Sequence, residues 1–232
     1  SSYAKTDPDA SCLRVKEDRG KEKPWPKPAY NVQCGTEGQF IVGFSVHPQS
    51  SDTVCLIPHL EQVRKNTGGQ LPQKIVADAA YGSEENYAYL EENHAESFLK
   101  YTTFYQDTHH YRDPEVLRAR QFRAEHFQYD PKTDTFFCPA GKSLKFQHAS
   151  KKTTATGYVV EQRYYECEEC TGCPLKSQCT KAEGNREIHV SLRLLAYRKR
   201  AREKLTSEEG KRLRARRSVE VESVFGQLKQ NM

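Results

Sequence analysis

Along the first hundred residues the spacing of apolar positions changes several times, and each change marks an element. The stretch AYNVQCGTEGQFIVGFSVHP (29–48) holds two β-like runs around Gly35-Thr36-Glu37-Gly38, which predicts a hairpin. Its second run, residues 40–46, is apolar at nearly every position, the pattern of a strand covered on both faces. From 52 to 66 the spacing becomes helical through Leu56, Leu60 and Val63, with Asp52 as the expected N-cap and Pro58 arguing for a later start. QKIVADAAYG (73–82) reads as a short strand that ends in Asp78 and turns. Ser83 then opens a helix whose first turn carries Glu84 and Glu85, and ESFLKY (96–101) is another strand. The order β-β-α-β-α-β predicts an α/β domain on a mixed sheet.

Residues 102–190 break this pattern. They are rich in Tyr and His, hold the short β-like runs TFFCPAG, GYVVEQRYYEC and REIHVS, and are expected to form an inserted module. Residues 1–28, mixed in charge and carrying Pro8, Pro24, Pro26 and Pro28, are expected to be an irregular lead-in. Helical spacing returns from 191. Thr206-Ser207-Glu208-Glu209 forms a capping-box pattern that opens a helix running to the end. On that helix Leu213, Arg217, Val221, Val224, Phe225 and Leu228 recur every three or four residues, with Arg217 at the edge of the stripe.

Two glutamates stand in this basic helix. Glu222 lies off the apolar stripe and shares a face with Gly226 and Lys229. A glycine in a helix interior costs about 1 kcal/mol relative to alanine, and here it leaves the approach to Glu222 open. A carboxylate and a lysine beside an open patch suit a metal-bound phosphodiester, the acid holding the ion and the lysine a phosphate. Glu220 points elsewhere and is expected to be a solvated surface side chain. Asp78, leaving the carboxyl end of a predicted strand, sits where α/β folds place ligands; capping the next helix is the plainer role, and both stand.

Charge adds a partner class. The 232 residues carry a net charge of +5, yet 11 Lys and Arg against 3 Glu fall between Arg193 and Arg217, a local balance of +8 that leaves −3 for the rest. A basic block on a near-neutral chain is the footprint of a nucleic-acid binder. The hydrophobic fraction of 36% and mean hydropathy of −0.88 are low but globular. No apolar run approaches the ~20 residues of a membrane span, and no secretory signal is visible. The opening Ser1-Ser2-Tyr3-Ala4-Lys5 does not resemble a natural start, so a cytoplasmic fragment of a longer protein is expected.

Of the eight cysteines, Cys12, Cys34 and Cys55 are isolated and expected to be packed or inert thiols, whereas Cys138, Cys167, Cys170, Cys173 and Cys179 cluster. In a cytosolic chain that clustering suggests a metal before disulfides. Cys170-x2-Cys173-x5-Cys179 has ligand-like spacing and needs a fourth thiolate for a closed zinc site, for which Cys138 and Cys167 compete. The run Cys167-x2-Cys170-x2-Cys173-Pro174 also leaves an iron–sulfur cluster open, though its fourth spacing departs, and free thiols are the remaining reading. A bound metal would supply folding free energy to a stretch poor in core-forming side chains.

Four separated strings together carry a resemblance: IVADAAYGSEENYAYLEEN, FFCPAGKSL, CEECTGCPLKSQCTKAEGNR and LTSEEGKRLRARRSVEVESVFGQLKQN. In this order the chain resembles a bacterial insertion-sequence DDE transposase, of the group with a cysteine-bearing insertion between the second and third acidic residues. The resemblance implies an RNase H-like fold, with residues 29–101 and 191–232 as the catalytic domain and 102–190 as the inserted, zinc-binding β module. It implies that Asp78 and Glu222 are the second and third acids and hold magnesium, two ions about 3.5–4 Å apart in the full enzyme. Lys229 matches a lysine that contacts DNA phosphate, and Cys138 matches a CP-x-G motif, which selects it with Cys170, Cys173 and Cys179 as the zinc ligands. The implied partners are double-stranded DNA, as transposon ends and target, and a second copy of the chain in a homodimer. The implied place is the bacterial cytoplasm, at the nucleoid when DNA is bound.

Two departures from the family qualify this. The first acid stands in an Asp-x-Thr strand that the chain lacks; Asp7 and Asp9 lie in a Pro-containing turn, so that strand is expected upstream of Ser1. A tyrosine and an arginine seven and four residues before the third acid are replaced by Ala215 and Ser218, and Arg216 and Arg217 are the neighbouring cations for DNA. The expected activity is therefore DNA cleavage and joining in the full protein and none in this fragment. A zinc-stabilised DNA-binding remnant and an RNase H-like nuclease that is not a transposase are the other readings.

Overall fold

The computed structural model describes residues 5, 7–13, 26–109 and 113–230, apart from the side chains of Leu228 and Lys229. The chain divides into two compact units, residues 1–102 with 200–232 and residues 103–199. The fold is mixed α/β, and among the described residues no helix is long and apolar enough to cross a membrane.

In the first unit, β1 (Ser11–Leu13) and β2 (Lys27–Ala29) pair antiparallel inside the stretch expected to be irregular. Strands β3 (Asn31–Glu37) and β4 (Phe40–His47) form the predicted hairpin, but its turn is Gly38–Gln39, later than expected. Both turn residues have positive φ, 57° and 71°, the backbone pair that a two-residue turn needs to match strand twist. Gly35 stays within β3, beside a bulge at Gly35/Thr36.

The expectation that β4 is covered on both faces is wrong. Helix α1 (Leu56–Asn66) covers one face. There a Cβ on Gly43 would lie 2.7 Å from Val63 Cγ2, and Ser45 Oγ sits 2.7 Å from His47 Nε2 and 2.8 Å from His59 Nδ1. On the opposite face Phe40, Phe44 and Val46 remain 78%, 65% and 53% exposed. An unbroken apolar run cannot reveal which of its two faces finds a cover. Asp52 does not cap α1 either. It begins a 3-10 turn, Asp52–Val54, and its carboxylate accepts from Asn31 at 2.7 Å and Gln33 at 3.1 Å. Pro58 is the third residue of α1, where an N–H would have no partner within the helix.

Strands β5 (Lys74–Ala77) and β6 (Glu96–Leu99) pair in parallel, joined through α2 (Glu84–Glu92). Ser83 caps α2 by accepting the Asn86 N–H at 3.2 Å. Among the described residues the β3–β4 and β5–β6 pairs are not hydrogen-bonded into the one mixed sheet expected. Side chains bridge them instead: Tyr81 Oη donates to Oε1 of buried Gln33 on β3.

Two helices close the chain, α6 (Leu192–Thr206) and α7 (Glu208–Gln230), and α7 packs against both β3 and β5. The cap between them is Ser207, one residue later than predicted. Its Oγ accepts the Gly210 N–H at 3.1 Å, while the Thr206 hydroxyl bonds back to Arg202 O at 2.8 Å. A Cβ at Gly210 would fall 2.1 Å from Lys204 O, so only glycine fits this junction.

The second unit opens with α3 (Phe104–Thr108) and α4 (Pro114–Gln121). Its antiparallel sheet runs in the order β11-β10-β9-β8-β7, comprising β7 (Gln128–Asp130), β8 (Thr135–Phe137), β9 (Ser143–Thr153), β10 (Val159–Cys167) and β11 (Glu187–Val190). Helix α5 (Lys176–Cys179) lies between β10 and β11 in sequence. Phe136, Leu144, Tyr165, Ile188 and Val190 form the core. At one end of it Asp134, at φ 51°, accepts from Tyr129 Oη at 2.8 Å, Tyr165 Oη at 2.7 Å and an Arg163 guanidinium nitrogen at 2.5 Å.

Candidate active site

The first unit gathers charge at the carboxyl end of β5. Asp78 follows the last strand residue, and its Oδ1 accepts the Ala79 N–H at 2.8 Å. The carboxylate thus caps the short 3-10 turn Ala79–Tyr81 rather than the next helix, and it stands at the strand end. Ala77 lies opposite Leu99 in the parallel register, which makes Asp78 and Lys100 the next pair across. Lys100 Nζ is 3.6 Å from Asp78 Oδ1, and Arg217, reaching from α7, places a guanidinium nitrogen 3.6 Å from Oδ2. Burial of the carboxyl works to raise its pKa, but the Ala79 N–H and the charges of Arg217 and Lys100 outweigh it and hold Asp78 below the usual carboxylate range.

The close approach that forms this corner rests on Gly82. A Cβ there would stand 2.3 Å from Lys100 O and 2.7 Å from Tyr101 Cα, inside backbone atoms that cannot yield.

The two arginines of α7 diverge. Arg217 joins Asp78, whereas Arg216 binds Glu220 at 2.6 Å and Glu37 at 3.2 Å. Glu220 is therefore not the solvated side chain expected: its side chain is 15% exposed, and the ion pair with Arg216 accounts for it. Glu222 is exposed. It lies five residues beyond Arg217, roughly 7.5 Å further along the helix axis, and the charges felt at Asp78 are those of Arg217 and Lys100. Nothing lies within 4 Å of a Cβ built on Gly226, so the surface beyond Glu222 is open. The Lys229 side chain lies outside the described residues.

Several cations of the basic block are occupied by local carboxylates: Arg200 by Glu91 at 2.7 Å, Lys204 by Glu96 at 4.0 Å, Lys211 by Glu208 at 2.6 Å. Exposed pairs of this kind are worth about 0–1 kcal/mol.

In the second unit Cys138, Cys167, Cys170, Cys173 and Cys179 all line one cavity of about 20 Å³, room for a single water-sized sphere. Positive-φ glycines turn the chain at both cysteine motifs, Gly141 at 75° after Cys138-Pro139-Ala140 and Gly172 at 66° between Cys170 and Cys173. Cys170 Sγ accepts the Arg186 N–H at 3.3 Å. Burial, reinforced by Cys170 and Cys138, pushes the Cys167 thiol up to about 12, and burial also raises Cys179. Among the described residues no group of three or more His, Cys, Asp or Glu stands in metal-holding geometry. The sequence reading did not foresee Lys100, whose only linear signal is its place directly after an apolar strand, the position that drew attention to Asp78.

No curated protein and no solved structure matches the chain. Residues 137–232, which include the five clustered cysteines and Glu222 but not Asp78, match the family described as the transposase DDE domain, and over that stretch the resemblance to insertion-sequence DDE transposases is shown.

Proposed function

We propose that the chain is the greater part of the catalytic domain of an insertion-sequence DDE transposase, which cleaves and joins DNA at element ends. The observation that carries this is the corner at Asp78: a carboxylate at a parallel strand end, flanked by cations, in a chain whose residues 137–232 match a transposase DDE domain. Residues 29–101 with 191–232 form the RNase H-like part and 102–190 the inserted module. A strand carrying the first acid, upstream of Ser1 and seated between β3 and β5, would account for two strand pairs that α7 packs against but that no backbone ladder joins among the described residues.

Asp78 and Glu222 would hold magnesium in the full enzyme, where two such ions activate the attacking oxygen and stabilise the leaving one. The described residues do not by themselves make that centre: one carboxylate stands between two cations. Arg217, Arg216 and Lys229 contact DNA phosphates, which fixes the duplex without reading its sequence. The lone acid favours, for the chain by itself, the second reading of a DNA-binding unit without catalysis. A homodimer on paired ends and a place in the bacterial cytoplasm belong to the same proposal.

Binding of a generic DNA duplex tests it. Three phosphate contacts give a salt slope of about −2.7, or a roughly 40-fold loss of affinity between 50 and 200 mM salt. Replacing Arg216, Arg217 and Lys229 with Gln should remove most of that slope. Affinity that is flat with salt would reject DNA as the partner.

The cysteine cavity is proposed as a structural zinc site, with Cys170, Cys173 and Cys179 as ligands and Cys138 ahead of Cys167 as the fourth. A small cavity lined by five thiols, with a backbone N–H already donated to Cys170 sulfur, fits a thiolate-bound ion in donor chemistry. Elemental analysis of protein purified without chelator should find zinc; protein free of bound metal at neutral pH rejects both zinc and an iron–sulfur cluster.

A further inference from the structure

We infer that Lys100 is a built-in counter-ion of Asp78, which keeps that carboxylate from taking a divalent ion until a phosphodiester enters the corner. This rests on the reading of Asp78 as a metal-holding acid.

The geometry is symmetrical about the carboxylate. Oδ1 faces the Lys100 ammonium and Oδ2 faces the Arg217 guanidinium, each at 3.6 Å. The three groups sum to a formal charge of +1, so a divalent ion approaching Asp78 meets net repulsion. A surface lysine would swing into water when an ion arrives. Lys100 has little such freedom, because the residue is only 5% exposed and its backbone is fixed by the Lys100 N–H bond to Ala77 O at 3.3 Å and by the contact with Gly82. Arg217, on a helix and less buried, is the group able to turn toward an incoming phosphate. A bound phosphodiester brings one negative charge, draws the guanidinium from Oδ2 and lowers the charge of the corner. The order of assembly that follows is nucleic acid first, metal second. Lys100 is a positioning residue in this scheme: it acts on the metal only through Asp78.

Manganese binding by the full chain, followed by electron paramagnetic resonance, tests this without requiring catalysis. Asp78→Ala defines the portion of binding that belongs to the corner. Without DNA, Lys100→Met should strengthen that portion roughly five- to tenfold, because a competing cation is removed while the side-chain volume is kept. Arg217→Gln, on the exposed side, should shift it in the same direction and covers the case in which Lys100→Met does not fold, as judged by thermal melting. Adding a DNA duplex should strengthen manganese binding to the unaltered chain, and less so to Arg217→Gln, which has no guanidinium left to draw away. A folded Lys100→Met that binds manganese no tighter, with Arg217→Gln also unchanged, overturns the inference. Manganese binding indifferent to Asp78→Ala would instead remove the reading of Asp78 as a metal ligand.

Discussion

Gly82→Ala is expected to destabilise the first unit by about 3 kcal/mol or more, a fall of roughly 10 °C in melting temperature. The added methyl would sit 2.3 Å from Lys100 O, 2.7 Å from Tyr101 Cα and 3.0 Å from Lys100 C. All three are backbone atoms, so relief requires the Asp78 turn and the end of β6 to separate. That separation takes Asp78 from Lys100, and DNA binding through the corner should weaken with it. Gly226→Ala is the contrasting case. Gly226 lies within α7 with nothing near its missing Cβ, and alanine there should stabilise by up to about 1 kcal/mol through helix propensity. Thermal melts of the two variants read both effects; a Gly82→Ala protein that melts with the unaltered chain shows that the close approach is not there.

Asp134→Ala should cost the second unit about 3–5 kcal/mol. The carboxylate accepts from two tyrosine hydroxyls and a guanidinium, and the Tyr165 ring is fully buried. Unsatisfied buried donors cost about 1–3 kcal/mol each, less for the partly exposed members. Alanine at φ 51° adds about 1–2 kcal/mol, a penalty that aspartate partly escapes. Asp134→Gly relieves the backbone but restores no acceptor, while Asp134→Asn keeps an acceptor and tolerates the backbone. Denaturant titration should rank stability as unaltered, Asn, Gly, Ala. Variants all within about 0.5 kcal/mol of one another would mean that the three donors find other partners.

Legibility in the sequence followed the range of the interactions. Ser83 and the strand ending at Asp78 were readable because a cap and a strand terminus are local. The Ser207 cap was missed by one residue because Thr206 has an equally good alternative, its own helix's Arg202 carbonyl. Strand β9, SLKFQHASKKT, carries no apolar alternation; its eleven residues are held by pairing with β10 and by Leu144, its one buried position. The hairpin turn moved to Gly38–Gln39 because bulge and register, not composition, set its place. Lys100 came to Asp78 through the register of two strands separated by a whole helix, a relation that no linear spacing encodes. Glu220, expected to be solvated, is instead the partly buried member of the glutamate pair, because its arginine partner lies one turn back.

The uncovered side of the β3–β4 hairpin has a practical consequence. Phe40, Phe44 and Val46 present a ridge of rings and branched carbons along a strand that has backbone groups to spare on its outer edge. Such a surface sticks to copies of itself. How far this chain can be concentrated before it clouds is thus set by three side chains remote from Asp78, and polar replacements at Phe40 and Phe44 are the first remedy for handling it at the millimolar levels that spectroscopy demands.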